Sequence, residues 1–121
     1  MELTGINYSN KKKGLFRGTY YKKCDISLKE VTKDELKQLS YEIKQIFFNF
    51  SYHSEEPILK NDEKIGSHYK SFHREIRFEN IKDGLVNIFI KSKRAEELCS
   101  QILRIIPKEK LNLEGIATFE D

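Results

Sequence analysis

Ser67 to Lys93, SHYKSFHREIRFENIKDGLVNIFIKSK, reads as two strands folded on one tight turn at Asp83-Gly84. Glycine takes a positive φ without steric penalty, and apolar, β-favouring residues flank the dipeptide on both sides, the pattern of a hairpin. On the first arm Phe72, Ile76 and Phe78 alternate with Ser71, His73, Glu75, Arg77 and Glu79, so one face is apolar and the other charged. On the second arm Leu85 to Ile90 is apolar except for Asn87, as in a strand buried on both faces in mid-sheet.

Outward from this hairpin, Tyr20 to Leu28 has period-2 character, with Cys24, Ile26 and Leu28 on one face, and reads as the first strand. Thr32 followed by Glu35 matches a capping box, in which the hydroxyl accepts from the third helical amide and the carboxylate reaches back. Leu36, Leu39, Ile43, Ile46, Phe47 and Phe50 then recur at helical spacing and give the helix a broad buried stripe. Lys33, Lys37 and Lys44 fall among its outward, solvated positions. From Ser51 to Gly66 periodicity fails and Pro57, Asn61, Asp62 and Gly66 punctuate the segment, which reads as a loop with a short extended piece at Ile58 to Lys60. After the hairpin, Ala95, Leu98, Cys99, Ile102, Ile105 and Ile106 form a second amphipathic helix, begun near Ser92 and stopped by Pro107. A final strand falls within Leu111 to Phe119.

The order strand, helix, strand, strand, helix, strand is the ferredoxin-like βαββαβ arrangement, an α+β fold with an antiparallel sheet and both helices on one face. At 121 residues the chain is one domain. Residues 1–19 read as a basic, flexible arm ahead of it and residues 20–121 as the domain. No run approaches the ~20 apolar residues of a membrane span, and the amino terminus lacks the apolar core of a signal peptide. The chain therefore reads as cytoplasmic. Cys24 and Cys99, each on an apolar-periodic face and without a C-x-x-C pattern, read as buried reduced thiols rather than a disulfide or redox pair.

The net charge of +3 conceals an asymmetry. Residues 1–23 carry Lys11, Lys12, Lys13, Arg17, Lys22 and Lys23 against Glu2 alone, a local balance of +5, whereas the remaining residues sum to −2. Gly5, Gly14 and Gly18 punctuate this segment and Tyr8, Phe16, Tyr20 and Tyr21 are interleaved with the cations. Such a stretch can track phosphates by charge and stack on unpaired bases or a protein surface; alternatively it is a frayed, solvated terminus. Arg74 and Arg77 would extend a nucleic-acid surface onto the sheet. An RNA-recognition motif of the usual kind does not fit, because Lys82 to Ile90 offers only Phe89 after Gly84 where two or three aromatics are needed.

Catalytic and metal signatures are sparse. His68 and His73 stand five residues apart, on opposite faces of a strand, which disfavours a zinc pair. Glu55, Glu56, Asp62 and Glu63 lack the Asp-x-Asp-x-Asp-Gly series of a calcium loop. His73, Glu75 and Arg77 share one strand face and read as a polar surface with a Glu75–Arg77 ion pair rather than as an acid/base trio. No P-loop or nucleophile elbow occurs, and no cofactor is implied.

Glu75-Ile76-Arg77, Asn80, Val86-Asn87-Ile88 and Lys91-Ser92-Lys93, followed by an Ile-rich helix and Leu111-Asn112-Leu113, together resemble part of a small anti-CRISPR family from Gram-positive phages. The resemblance covers residues 75–113 and the general character of the arm, which is shorter and less arginine-rich than the family's. It implies a non-enzymatic inhibitor that binds the RNA-guided type II CRISPR nuclease or its guide RNA and blocks DNA cleavage by obstruction. Lys11, Lys12, Lys13, Arg17, Lys22 and Lys23 would anchor it, with Tyr20 and Tyr21 as stacking or hot-spot residues. Two other classes stay open: a small RNA- or single-stranded-DNA-binding module, and an immunity protein or antitoxin that meets its partner through Glu55 to Glu63.

Overall fold

The computed structural model describes residues 1–9, 22–48, 53–71, 74–93, 95–106 and 117–120. Among the described residues, seven strands and two helices follow one another as β1 (Glu2–Ser9), β2 (Lys22–Lys29), α1 (Lys33–Phe48), β3 (His53–Lys60), β4 (Glu63–Ser71), β5 (Arg74–Lys82), β6 (Leu85–Ser92), α2 (Ala95–Leu103) and β7 (Ala117–Glu120). All seven strands join one sheet in the order β3-β4-β5-β6-β2-β1-β7. Neighbours from β3 to β1 are antiparallel, and β7 alone lies parallel to its neighbour β1.

This sheet overturns the four-stranded ferredoxin-like expectation in two places. Residues 2–9, expected as part of a flexible arm, form β1, which pairs with β2 along its length. Their apolar residues escape a period-2 reading because the register shifts between Leu3 and Gly5, so that Leu3 and Ile6, three apart, both face the core at 2% and 4% exposure. Residues 53–66, within the segment expected as a loop with a short extended piece at Ile58 to Lys60, belong to the β3–β4 hairpin, which runs on to Ser71. Asn61 and Asp62 make its two-residue turn with φ of 52° and 65°, the left-handed pair that a tight hairpin connection requires and that these two residue types tolerate.

The β5–β6 hairpin forms around Asp83-Gly84, with Gly84 at φ 77°. Ser67 to Ser71 do not belong to it, being part of β4. In β6 Val86, Ile88 and Ile90 are buried while Asn87 and Phe89 are half-exposed, so the strand is fully covered on one face only. Cys24, Ile26 and Leu28 are buried as a row on β2. They stand opposite Ile90, Ile88 and Val86, with Ile76 and Phe78 beyond on β5.

Both helices cover this apolar side of the sheet. Leu39 and Ile43 of α1 and Ala95, Leu98, Cys99 and Ile102 of α2 join the single core cluster, with Leu36 and Ile46 packed at its margin. The capping box forms as its residues dictate: the Thr32 amide donates to Glu35 Oε1 at 3.0 Å and the Glu35 amide donates to Thr32 Oγ1 at 3.2 Å. A backbone bond of 3.1 Å from the Val31 amide to the Gly84 carbonyl ties the start of α1 to the β5–β6 turn. Cys24 and Cys99, both buried, bring their sulfur atoms to 3.1 Å where α2 lies on β2, without a disulfide. Among the described residues, no helix is long and apolar enough to cross a membrane.

Candidate functional site

The face of the sheet away from α1 and α2 is built by strand alternation. Even-numbered positions of β2, β5 and β6 point under the helices and odd-numbered ones point away. Register then lines up two polar rows. One runs Lys70, Glu75, Lys91, Lys23 across β4, β5, β6 and β2, and the next runs His68, Arg77, Phe89, Asp25. Phe89 is the one aromatic in this stretch, half-exposed between Arg77 and Asp25.

Much of this face is internally paired. His68 Nε2 lies 2.6 Å from Glu75 Oε1, Arg77 Nη2 donates to Glu79 Oε1 at 2.7 Å, and Asn87 Nδ2 lies 3.5 Å from Asp25 Oδ1. The expected Glu75–Arg77 pair therefore does not form, because each side chain takes a different neighbour. His73, the third member of that trio, lies outside the described residues. Asp25, Glu75, Arg77, Glu79, Asn87 and Phe89 line a shallow depression of about 300 Å³. Among the described residues, no group of three or more His, Cys, Asp or Glu is placed to hold a metal ion.

Cations gather at one end of the sheet. Lys23 and Lys91 stand directly opposite one another on β2 and β6. On the other face of the same end, Lys22, Ser92 and Arg74 form the terminal row across β2, β6 and β5. Lys22 Nζ reaches Glu96 Oε1 of α2 at 2.5 Å. Burial pushes the Glu96 carboxyl up, but the lysine's hydrogen bond and charge, together with a backbone hydrogen bond, hold it below the ordinary range.

Of the ten residues singled out from sequence, Lys11, Lys12, Lys13, Arg17, Tyr20 and Tyr21 lie outside the described residues. The structure brings Lys22, Lys23 and Arg74 to one end of the sheet and places Arg77 further along the open face. It also separates Lys23 and Arg77 from Lys22 and Arg74, which lie on the helix side. Lys70 and Lys91 join the cluster without having been singled out. Lys91 belongs to the sequence Lys-Ser-Lys after the hairpin, but only the register of β6 against β2 shows that it meets Lys23.

The basic stretch also changes place in the fold. Ser9 and Lys23 are register partners, so residues 10–21 connect two neighbouring strands from their ends on the cationic side of the sheet. The acidic segment is dispersed: Glu55 and Glu56 project to opposite faces of β3, Glu55 pairing with Lys44 of α1 at 3.6 Å and Glu56 standing opposite His68. No protein-family model, curated protein or solved structure matches the chain.

Proposed function

We propose that this protein is a non-enzymatic inhibitor that binds an RNA-guided type II nuclease or its guide RNA and obstructs DNA cleavage. The observation that carries the reading is the concentration of Lys22, Lys23, Arg74 and Lys91 at the end of the sheet that bounds the lysine-rich residues 10–21. Lys23 and Lys91 stand there on the open face and Lys22 and Arg74 on the helix side, next in sequence to the segment that carries Lys11, Lys12, Lys13 and Arg17. The resemblance over residues 75–113 supplies the class of target. Positive charge focused at one end of a compact domain favours fast encounter with a polyanion or an acidic channel.

Binding by obstruction needs a shape-stable surface rather than a reactive group, and a continuous ladder from β3 to β7 is such a surface. Measured against a guide-loaded type II nuclease, the purified protein should bind and suppress DNA cleavage. If about six phosphates are neutralised, log affinity falls against log salt with a slope of roughly −5. Lys23→Glu with Lys91→Glu should weaken binding about tenfold or more, while Lys60→Glu at the opposite end of the sheet should not. A flat salt response with unaltered affinity in the double variant would overturn the reading, and binding to RNA in the absence of nuclease would convert it to a nucleic-acid module.

A further inference from the structure

At the end of the sheet remote from the cationic cluster, the β4–β5 ladder stops before its strands do. The last register pair is Gly66 with Glu79, although β4 extends to Glu63 and β5 to Lys82. Each tip remains paired within its own hairpin, Lys64 with Leu59 and Lys82 with Leu85, and each strand pair carries an irregularity there. The two hairpin tips therefore part, and α1 roofs the gap with Leu36, Lys37 and Ser40. The resulting cleft holds about 440 Å³, within the range of small-molecule sites.

Its lining has two characters. Leu36, Ile65 and Phe78 supply apolar walls, and Lys37, Lys64 and Lys82 bring three cations against Glu63 and Asp83. Among the described residues these three lysines make no ion pair, whereas Lys22, Lys29, Lys44 and Arg77 each have a carboxylate. Ser67 also lines the cleft, at 3% exposure.

We propose that this cleft binds a compact organic anion, one phosphate or carboxylate carried on an apolar body. The anionic head meets Lys37, Lys64 and Lys82 at the rim and the apolar body lies against Leu36, Ile65 and Phe78, with Ser67 donating to a polar atom at the floor.

Phenyl phosphate and benzoate are the probes, titrated into the isotope-labelled full chain while backbone amide shifts are followed. One or both should saturate near millimolar concentration and move amides in 63–67 and 80–83. Phenol and inorganic phosphate, each half of the ligand, should bind at least about tenfold more weakly. Lys64→Glu with Lys82→Glu, two exposed positions, should weaken the better probe about tenfold or more, and Lys70→Glu on the opposite sheet face should leave it unchanged. No saturable shift from either probe up to about 10 mM overturns the proposal. So do shifts that survive the double substitution or that map to the open face.

Discussion

The β5–β6 and β3–β4 hairpins occupy one sheet and share the β4–β5 ladder, yet different forces hold them. In β5–β6 the side chains do the work: Ile76, Phe78, Val86, Ile88 and Ile90 are at most 4% exposed and pack beneath the helices. In β3–β4 the outer strand contributes almost nothing to the core, with Leu59 at 59% exposure and Ser54 to Pro57 all exposed. What secures that hairpin is its backbone ladder, its left-handed turn and the inward residues of β4, chiefly Tyr69 and Ser67. Hydrophobic patterning thus announces a central hairpin and stays silent about an edge one. The edge strand is also guarded as exposed edges must be: Pro57 removes a donor, and Glu55, Glu56 and Lys60 place charge along it.

Urea unfolding tests this contrast directly. Ile88→Ala, at a fully buried position, should cost about 3 kcal/mol, while Leu59→Ala should change stability by about 0.5 kcal/mol or less. Equal losses would mean that the β3–β4 hairpin is held by side-chain burial after all. Next in size is Gly66→Ala at the seam between the hairpins. A Cβ there would sit 1.8 Å from the Phe78 carbonyl oxygen, so the backbone must move, at a cost of about 2 kcal/mol. A neutral result would show that the β4–β5 ladder yields freely.

The turns give smaller effects. Gly84→Ala forces a side chain into φ 77° and should lose about 1 kcal/mol, whereas Asn61→Gly at φ 52° should be neutral or slightly stabilising. A large loss at Asn61 would show that its side chain, and not its tolerance of the left-handed region, makes the β3–β4 turn. An effect conditional on pH lies where α1 begins beside the β5–β6 turn. The hydrogen bond from the Thr32 amide lowers the Glu35 carboxyl's pKa, burial opposes it, and the amino-terminal ammonium at 3.2 Å and the Thr32 hydroxyl lower it further. Because the net folded-state shift is downward, folding favours the ionised carboxylate. This contribution is whole above the unfolded carboxyl's titration and fades as pH falls through the folded value. Glu35→Gln should then lose about 1 kcal/mol near neutral pH, with the gap to the parent closing below about pH 4. A gap that persists in acid would assign the loss to packing.

Several features were legible before any fold was known because their causes are local. The Thr32/Glu35 box, the stripe through Leu39 and Ile43, the Asp83-Gly84 turn and the buried row Cys24, Ile26, Leu28 each depend on residues within a turn or a strand of one another. Strand β1 was hidden because its irregularity breaks the alternation, and β3 because an edge strand has no buried face to pattern. Strand β4 was obscured by Gly66 and Ser67, two small residues that occupy core positions without signalling them. Asn61-Asp62 is the signal for that hairpin, but in sequence the same pair punctuates a loop equally well.

Among the candidate residues, chain reading identified the lysines near β2 but could not join Lys91 to them. Lys23 and Lys91 are separated by 67 intervening residues, and only the β2–β6 register makes them neighbours. The same holds for Cys24 and Cys99, each read as buried, whose contact depends on how α2 docks on β2. Composition and periodicity specify which residues are buried and where helices cap and hairpins turn, since those preferences act over a few bonds. The number of strands, their order, the position of the basic stretch between paired strands and the clustering of its lysines depend on long-range hydrogen-bond register, which no short window of residues contains.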